Sequence, residues 1–212
     1  MKKHRNDLFH EVEVKFYLSD RSSFEDRLRR IGAELIHERV LEKNYRFDTP
    51  DLALSREHRV LRLRQDDASI ITYKGPSTIV DGVVDRQEIE FTVSDFTAAR
   101  QLLESLGYQQ SISYEKWRTT YLLDELEITI DEMPFGNFTE IEGGDAKSIQ
   151  SVARKLALEW SAGITESYLM LFDRVKNQKK MDLRDLTFAA FHDIQVSPRD
   201  LGVKPADTPL FL

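Results

Sequence analysis

Seven short segments of this chain place ionised side chains at every second residue. Six are Glu11-Val-Glu13-Val-Lys15, Arg62-Leu-Arg64, Arg86-Gln-Glu88-Ile-Glu90, Lys116-Trp-Arg118, Glu127-Ile-Thr-Ile-Asp131 and Glu140-Ile-Glu142; the seventh, Ile-Ile-Thr-Tyr-Lys74, ends on a lysine. Residues two apart in a strand share a face, so the like-charged pairs Glu11/Glu13, Arg62/Arg64, Glu88/Glu90 and Glu140/Glu142 repel unless something lies between them. Paired carboxylates grip cations, and paired guanidinium forks grip an anion. With no cysteine, an oxygen-only ligand set points to a hard ion, Mg²⁺ or Mn²⁺, and away from zinc. His4, His10, His37, His58 and His192 form no metal-spaced pair. Across the seven segments the polar face carries seven bases against eight acids, a net charge of −1. Two divalent metals would bring that to about +3, which suits a polyphosphate.

These residues need strands to hold them. The intervening positions are apolar, so each segment reads as a strand with one apolar and one ionic face. Between the strands lie stretches of helical period. Ser19 or Asp20 caps a helix carrying Phe24, Leu28 and Ile31 that ends at Gly32. Ser94 or Asp95 caps another carrying Phe96, Ala99, Leu102, Leu103 and Leu106 that ends at Gly107. Asp145 opens a third with Ile149, Val152, Ala153, Leu156 and Trp160. A fourth helix is expected near 165–176, and loops at 48–56 and 75–85.

The chain also repeats itself. Leu18-Ser19-Asp20 recurs as Val93-Ser94-Asp95 and Ile31-Gly32 as Leu106-Gly107, both 75 residues later; Glu42-Lys43 recurs as Glu115-Lys116, two residues out of that register. Two such units make a pseudo-two-fold domain, since a solenoid takes about three or more shorter repeats. The units sum to eight strands. The fold class expected is α+β: an eight-stranded antiparallel closed β-barrel with flanking helices. Such a barrel encloses room for one small ligand. Its apolar faces would point outward under the helices and its ionic faces inward, a costly arrangement unless the charges pair with each other, with metal or with ligand. The competing arrangement is an open sheet with one solvated face.

Composition sets the bounds. The chain has 212 residues, with 41% hydrophobic and 32% charged side chains and a formal charge of −7. That is core enough for a folded domain, and the acidic balance argues against nucleic acid as a partner. No secretory signal and no apolar run of about 20 residues is visible, so a cytoplasmic protein with no membrane partner is expected. Residues 8–173 read as the barrel domain. Residues 174–212 read as a helical or extended arm, with an amphipathic piece at 182–192, packing on the domain or on a partner subunit; a homodimer is open.

In order along the chain, Glu11-Val-Glu13-Val-Lys15, Phe47-Asp48-Thr49-Pro50-Asp51, Leu61-Arg62-Leu63-Arg64, Lys74-Gly75-Pro76, Arg86 with Glu88 and Glu90, Glu115-Lys116-Trp117-Arg118, Ile130-Asp131, Glu140-Ile141-Glu142 and Ser167-Tyr168 resemble the CYTH proteins, or triphosphate tunnel metalloenzymes. That family takes its name from class IV adenylate cyclase and thiamine triphosphatase. The resemblance implies a tunnel that binds a triphosphate and Mg²⁺ or Mn²⁺, two ions in all. It implies metal ligands at Glu11, Glu13, Glu140 and Glu142, with Glu88, Glu90 or Asp131 assisting. It implies phosphate contacts from Lys15, Arg62, Arg64, Lys74, Arg86 and Arg118. Lys116 matches the lysine of a Lys–Tyr pair that activates water in hydrolytic members, and Tyr45 is the tyrosine proposed for it; crowding by cations would make Lys116 a base. Glu166 stands where the family often has a basic residue. The activity implied is hydrolysis of inorganic triphosphate, thiamine triphosphate or a nucleoside triphosphate. The alternatives are conversion of ATP to cyclic AMP and pyrophosphate, and a non-catalytic polyphosphate- or nucleotide-binding module.

Overall fold

The alternating segments are strands. The computed structural model describes residues 10–207, so His4 and the outermost residues of both expected domains lie outside it. The elements are β1 (His10–Leu18), α1 (Arg21–Arg30), β2 (Glu34–Asp48), α2 (Ala53–Arg56), β3 (Val60–Gln65), β4 (Ser69–Val80), β5 (Val83–Val93), α3 (Phe96–Ser105), β6 (Gln109–Leu123), β7 (Leu126–Met133), β8 (Gly136–Gly143), α4 (Ala146–Lys155), a 3₁₀ turn (Trp160–Ala162), α5 (Tyr168–Lys179) and α6 (Pro198–Leu201). All eight strands pair antiparallel, in the order β1-β5-β4-β3-β2-β6-β7-β8. β1 pairs with β5 on one side and β8 on the other, so the order returns on itself and no strand keeps a free edge.

The repeat appears in this order. Exchanging β1 with β5, β2 with β6, β3 with β7 and β4 with β8 leaves every neighbour relation unchanged. The pseudo-two-fold relation therefore passes through the β1–β5 and β2–β6 seams. The Glu-Lys match does not belong to it. Glu42 is buried and faces Lys116 across β2–β6, whereas Lys43 is exposed and faces Glu115.

Helices cover the outside. Asp20, Asp95 and Asp145 each accept backbone N–H groups at the start of α1, α3 and α4, satisfying donors that a helix start otherwise leaves open. Phe24 and Leu28 of α1 and Ile149, Val152 and Ala153 of α4 pack on Val14, Phe16, Ile128, Ile130 and Ile141, the outward residues of β1, β7 and β8. α3 sets Ala99 and Leu103 against Phe47 and Leu63. Each such side chain, fully buried, contributes about 1.5–3 kcal/mol, so the apolar parity is fixed outward and the charged parity inward. Trp160 lies beyond α4, in the 3₁₀ turn.

Two connections differ from the sequence reading. Residues 75–80 continue β4, and the β4–β5 hairpin turns at Asp81 and Gly82, both at positive φ, because Asp-Gly matches the twist that a tight hairpin turn needs. α5 runs through residue 173, so the arm departs only after Lys180. The arm is extended and turned at 182–192. Leu186 bridges to Tyr114, and Asp207 accepts the backbone N–H groups of Ser19 at 2.8 Å and Asp20 at 2.9 Å. Leu186, Phe191 and Leu201 join Leu171, Phe172 and Val175 of α5 over Phe135 and Phe138.

Candidate functional site

The inward faces enclose a cavity of about 1180 Å³. Fourteen of the fifteen inward residues expected from the alternation line it: Glu11, Glu13, Lys15, Arg62, Arg64, Lys74, Arg86, Glu88, Glu90, Lys116, Arg118, Glu127, Glu140 and Glu142. The fifteenth, Asp131, is fully buried in the wall, where it holds Lys116 (3.0 Å) and Arg118 (2.7 and 2.6 Å). Tyr45 is placed differently. Its ring packs edge-on against Phe96 in the cluster under α3, on the outer face, so it cannot partner Lys116. Two tyrosines do line the cavity. Tyr168 donates to Asp131 at 2.8 Å, and its ring lies 4.5 Å from Lys15 Nζ and 5.6 Å from Lys116 Nζ. The Tyr114 hydroxyl accepts from Arg62 at 3.4 Å.

The charges are sorted. Glu11 is gripped by Lys74 (2.7 Å) and Arg86 (2.6 Å); burial opposes its ionisation, but these cations outweigh it and hold the carboxyl well below the ordinary range. Lys15 bonds Glu140 at 2.7 Å, and Arg118 bonds Glu140 at 2.6 Å. Arg62 donates to Thr72 at 2.9 Å and meets Glu90 at 3.2 Å. Glu42 lies within 3.5–3.8 Å of Lys116, Arg64 and Arg118; burial opposes its ionisation, yet the cations bring its pKa down to about 2. Lys116 thus lies between two carboxylates, Asp131 and Glu42, which offset the neighbouring cations Arg64 and Arg118. Glu166, at the mouth, bonds Arg174 at 2.6 Å.

One set of acids is left over. Glu142 faces Glu13 directly across β1–β8 and Glu127 directly across β7–β8, a row of three carboxylates on adjacent strands. Among the described residues neither Glu127 nor Glu142 has an ion-pair partner, and Glu13 has only Arg86 at 3.3 Å. Desolvation, then Glu11, Glu127, Glu13 and Glu88, raise the pKa of Glu142 to about 8. Desolvation first, then Glu11, raises Glu88 to about 7, against the opposing pull of Lys74. Glu13 is raised by burial and by Glu140 and Glu11. A row of opposed carboxylates without counter-charge is destabilising, and a divalent cation removes the repulsion. Among the described residues no trio of His, Asp or Glu already stands as a preformed metal-holding set. The donor chemistry of the row nevertheless fits a hard cation, being all carboxylate oxygen and facing solvent in the cavity. Alternation revealed the two walls; it missed Glu42, Arg46 and Tyr114, which also line the cavity.

A match to the CYTH domain spans residues 10–168. The chain belongs to the CYTH family. Among CYTH relatives, a Methanocaldococcus jannaschii protein provisionally named an adenylate cyclase is 29% identical over 83% of this chain and 99% of its own. The adenylate cyclase CyaB of Aeromonas hydrophila is 29% identical over 77% of this chain and 89% of its own. Solved structures share the fold. One from Vibrio parahaemolyticus has a TM-score of 0.70 at 22% identity and covers 78% of this chain and 98% of its own. The Hippeastrum protein HpAC1, described as having a dominant triphosphatase activity, has a TM-score of 0.58 at 18% identity and covers 82% of this chain and 97% of its own. Among the described residues no helix is long and apolar enough to cross a membrane.

Proposed function

We propose that this CYTH protein is a divalent-metal-dependent enzyme that cleaves a phosphoanhydride bond of a triphosphate held inside the barrel as in a tunnel. The observation that carries the reading is the row Glu13, Glu142 and Glu127 standing across one cavity from a wall of Arg62, Arg64 and Lys74. Phosphoryl transfer depends mostly on positioning and charge neutralisation, and this cavity supplies both signs.

Glu13, Glu142 and Glu127 would hold Mg²⁺ or Mn²⁺, with Glu11 and Glu88 beside them. Two ions suit the charge balance. The metal supplies charge neutralisation on the phosphate oxygens and water of lowered pKa. The chain's own residues do the rest. Arg62, Arg64, Arg86 and Arg118 present forked donors to phosphate oxygens, and Lys15, Lys74 and Lys116 add point charges. The carboxylates now gripping these bases keep them oriented until the substrate's oxygens replace them. Asp131 holds Lys116, Arg118 and Tyr168 together, so it sets the geometry of that wall from behind.

A second reading is conversion of ATP to cyclic AMP and pyrophosphate. Two observations favour it: relatives carry adenylate cyclase names, and the cavity exceeds the roughly 300–1,000 Å³ of common small-ligand sites. One assay panel separates the readings. The protein is incubated with Mg²⁺ or Mn²⁺ and, separately, ATP, inorganic triphosphate and thiamine triphosphate. Released orthophosphate supports hydrolysis, and cyclic AMP with pyrophosphate supports the cyclase. Binding without any product overturns both in favour of a binding module.

A further inference from the structure

Every base named above on the barrel walls is held by a carboxylate: Lys15 by Glu140, Arg62 by Glu90, Arg64 by Asp66, Lys74 and Arg86 by Glu11, and Lys116 and Arg118 by Asp131. Arg46 is the exception. It lines the same cavity, from β2, yet among the described residues its guanidinium has neither an ion-pair partner nor a hydrogen-bond acceptor. Its cross-strand neighbour on β3 is Arg62, another cation, and its neighbour on β6 is the apolar Ile112. Directly opposed residues of an antiparallel pair have Cβ atoms about 4.5–5.5 Å apart, so two cationic side chains leave the wall from adjacent points. Burial disfavours the charge on Arg46; Tyr114 and Asp48 support it, and Arg62 and Arg86 oppose it.

Resting on the triphosphate reading above, we propose that Arg46 is a phosphate-binding residue of the cavity, and that Arg46, Arg62 and the Tyr114 hydroxyl together receive one phosphoryl group of the substrate. Two adjacent forks offer several N–H donors to a tetrahedral dianion, and Tyr114 adds a hydroxyl beside Arg62. A group that binds only when the anion arrives is strained in its absence. Arg46 therefore weakens the empty fold and strengthens the filled one. A purely structural arginine does the reverse.

That opposition gives the test. Inorganic triphosphate is titrated calorimetrically into the wild type, Arg46→Met and Arg46→Lys, in EDTA and in Mg²⁺, and each protein is melted with and without the ligand. In Arg46→Met, triphosphate affinity should fall roughly ten- to a hundredfold, the loss expected for a charged hydrogen-bonding partner. Its ligand-free melting temperature should equal or exceed that of the wild type, and Arg46→Lys should recover part of the affinity. A folded Arg46→Met that binds triphosphate within twofold of the wild type overturns the assignment of Arg46 alone. A lower ligand-free melting temperature with unchanged affinity in Arg46→Lys also overturns it, by making the residue structural. A wild type that binds no triphosphate overturns the functional reading and this inference together.

Discussion

The hairpins β3–β4 and β7–β8 occupy equivalent places in the two halves of the barrel, and their inward faces carry opposite charge. The first presents Arg62, Arg64 and Lys74; the second presents Glu127, Asp131, Glu140 and Glu142. Both hairpins keep apolar residues outward, Leu61, Leu63 and Ile71 in one and Ile128, Ile130 and Ile141 in the other. Packing against the helices thus constrains one parity in both halves, and the other parity is free to diverge. Divergence into opposite signs suits a substrate that is itself anionic but needs cations to react. On the function proposed above, the metal would belong to the second hairpin and the phosphate chain to the first.

The comparison can be broken most sharply on the acidic side. Glu13→Gln combined with Glu142→Gln should lower metal-dependent turnover by on the order of a thousandfold, since it removes two of the three carboxylates of the row. The melting temperature without metal should hold or rise, because mutual repulsion is relieved. Steady-state assay with a Mg²⁺ titration checks this, and retained turnover would sink the metal assignment of the second hairpin.

On the basic side, Arg62→Ala should weaken triphosphate binding roughly ten- to a hundredfold at any metal concentration, which a calorimetric titration reads directly. A change confined to metal affinity would show that the two hairpins do not divide the labour as described.

The pH dependence sharpens the same contrast. Glu142, at about 8, and Glu88, at about 7, sit above the ordinary carboxylate value, so over the range up to those values the folded chain binds more protons than the unfolded one. Stability without metal should therefore fall as pH rises toward and through 7–8. Glu142 faces solvent, and screening there limits the effect to a few degrees. Melting in EDTA at pH 6 and pH 9 measures it. Glu142→Gln should flatten the difference, and saturating Mg²⁺ should reduce it while binding more tightly at the higher pH.

The smallest effect concerns the helices rather than the hairpins. α1 and α3 are equivalent, but only the start of α1 is tied down by the arm, through Asp207. Asp207→Ala should lower stability by about 1 kcal/mol, as loss of a cap does, and leave turnover unchanged.

Most of the walls was legible in the sequence because strict alternation survives wherever one face packs against a helix. The failures fall on β2 and, with Tyr114, on the β6 strand paired to it. On β2, Glu42, Lys43, Asn44, Tyr45 and Arg46 put polar groups on both parities, and the pairing with β6 shifts register at three places, between Leu35 and His37, between His37 and Val40, and at Arg46 and Phe47. Between Val40 and Arg46 the alternation itself is regular, with Glu42 and Arg46 inward and Tyr45 outward, but no apolar parity marks which side packs under a helix, and the flanking shifts break the count from either end. The repeat offered a way out, but only through its fold: the sequence match of Glu42-Lys43 to Glu115-Lys116 pairs an inward residue with an outward one.

The β1–β8 seam has a further consequence, in time rather than in space. Glu13 meets Glu142 at a sequence separation of 129, and the pairing that brings them together is the one that completes the ring. During synthesis Glu11, Glu13 and Lys15 of β1 are made well before β8, and they have no partners on that side until β8 follows. Contacts of such long sequence separation form late and slowly. The acidic row therefore does not exist in any partly folded chain. On the proposed function, competence to gather metal and closure of the barrel should arrive in a single kinetic step, and a half-made protein would lack the complete carboxylate row.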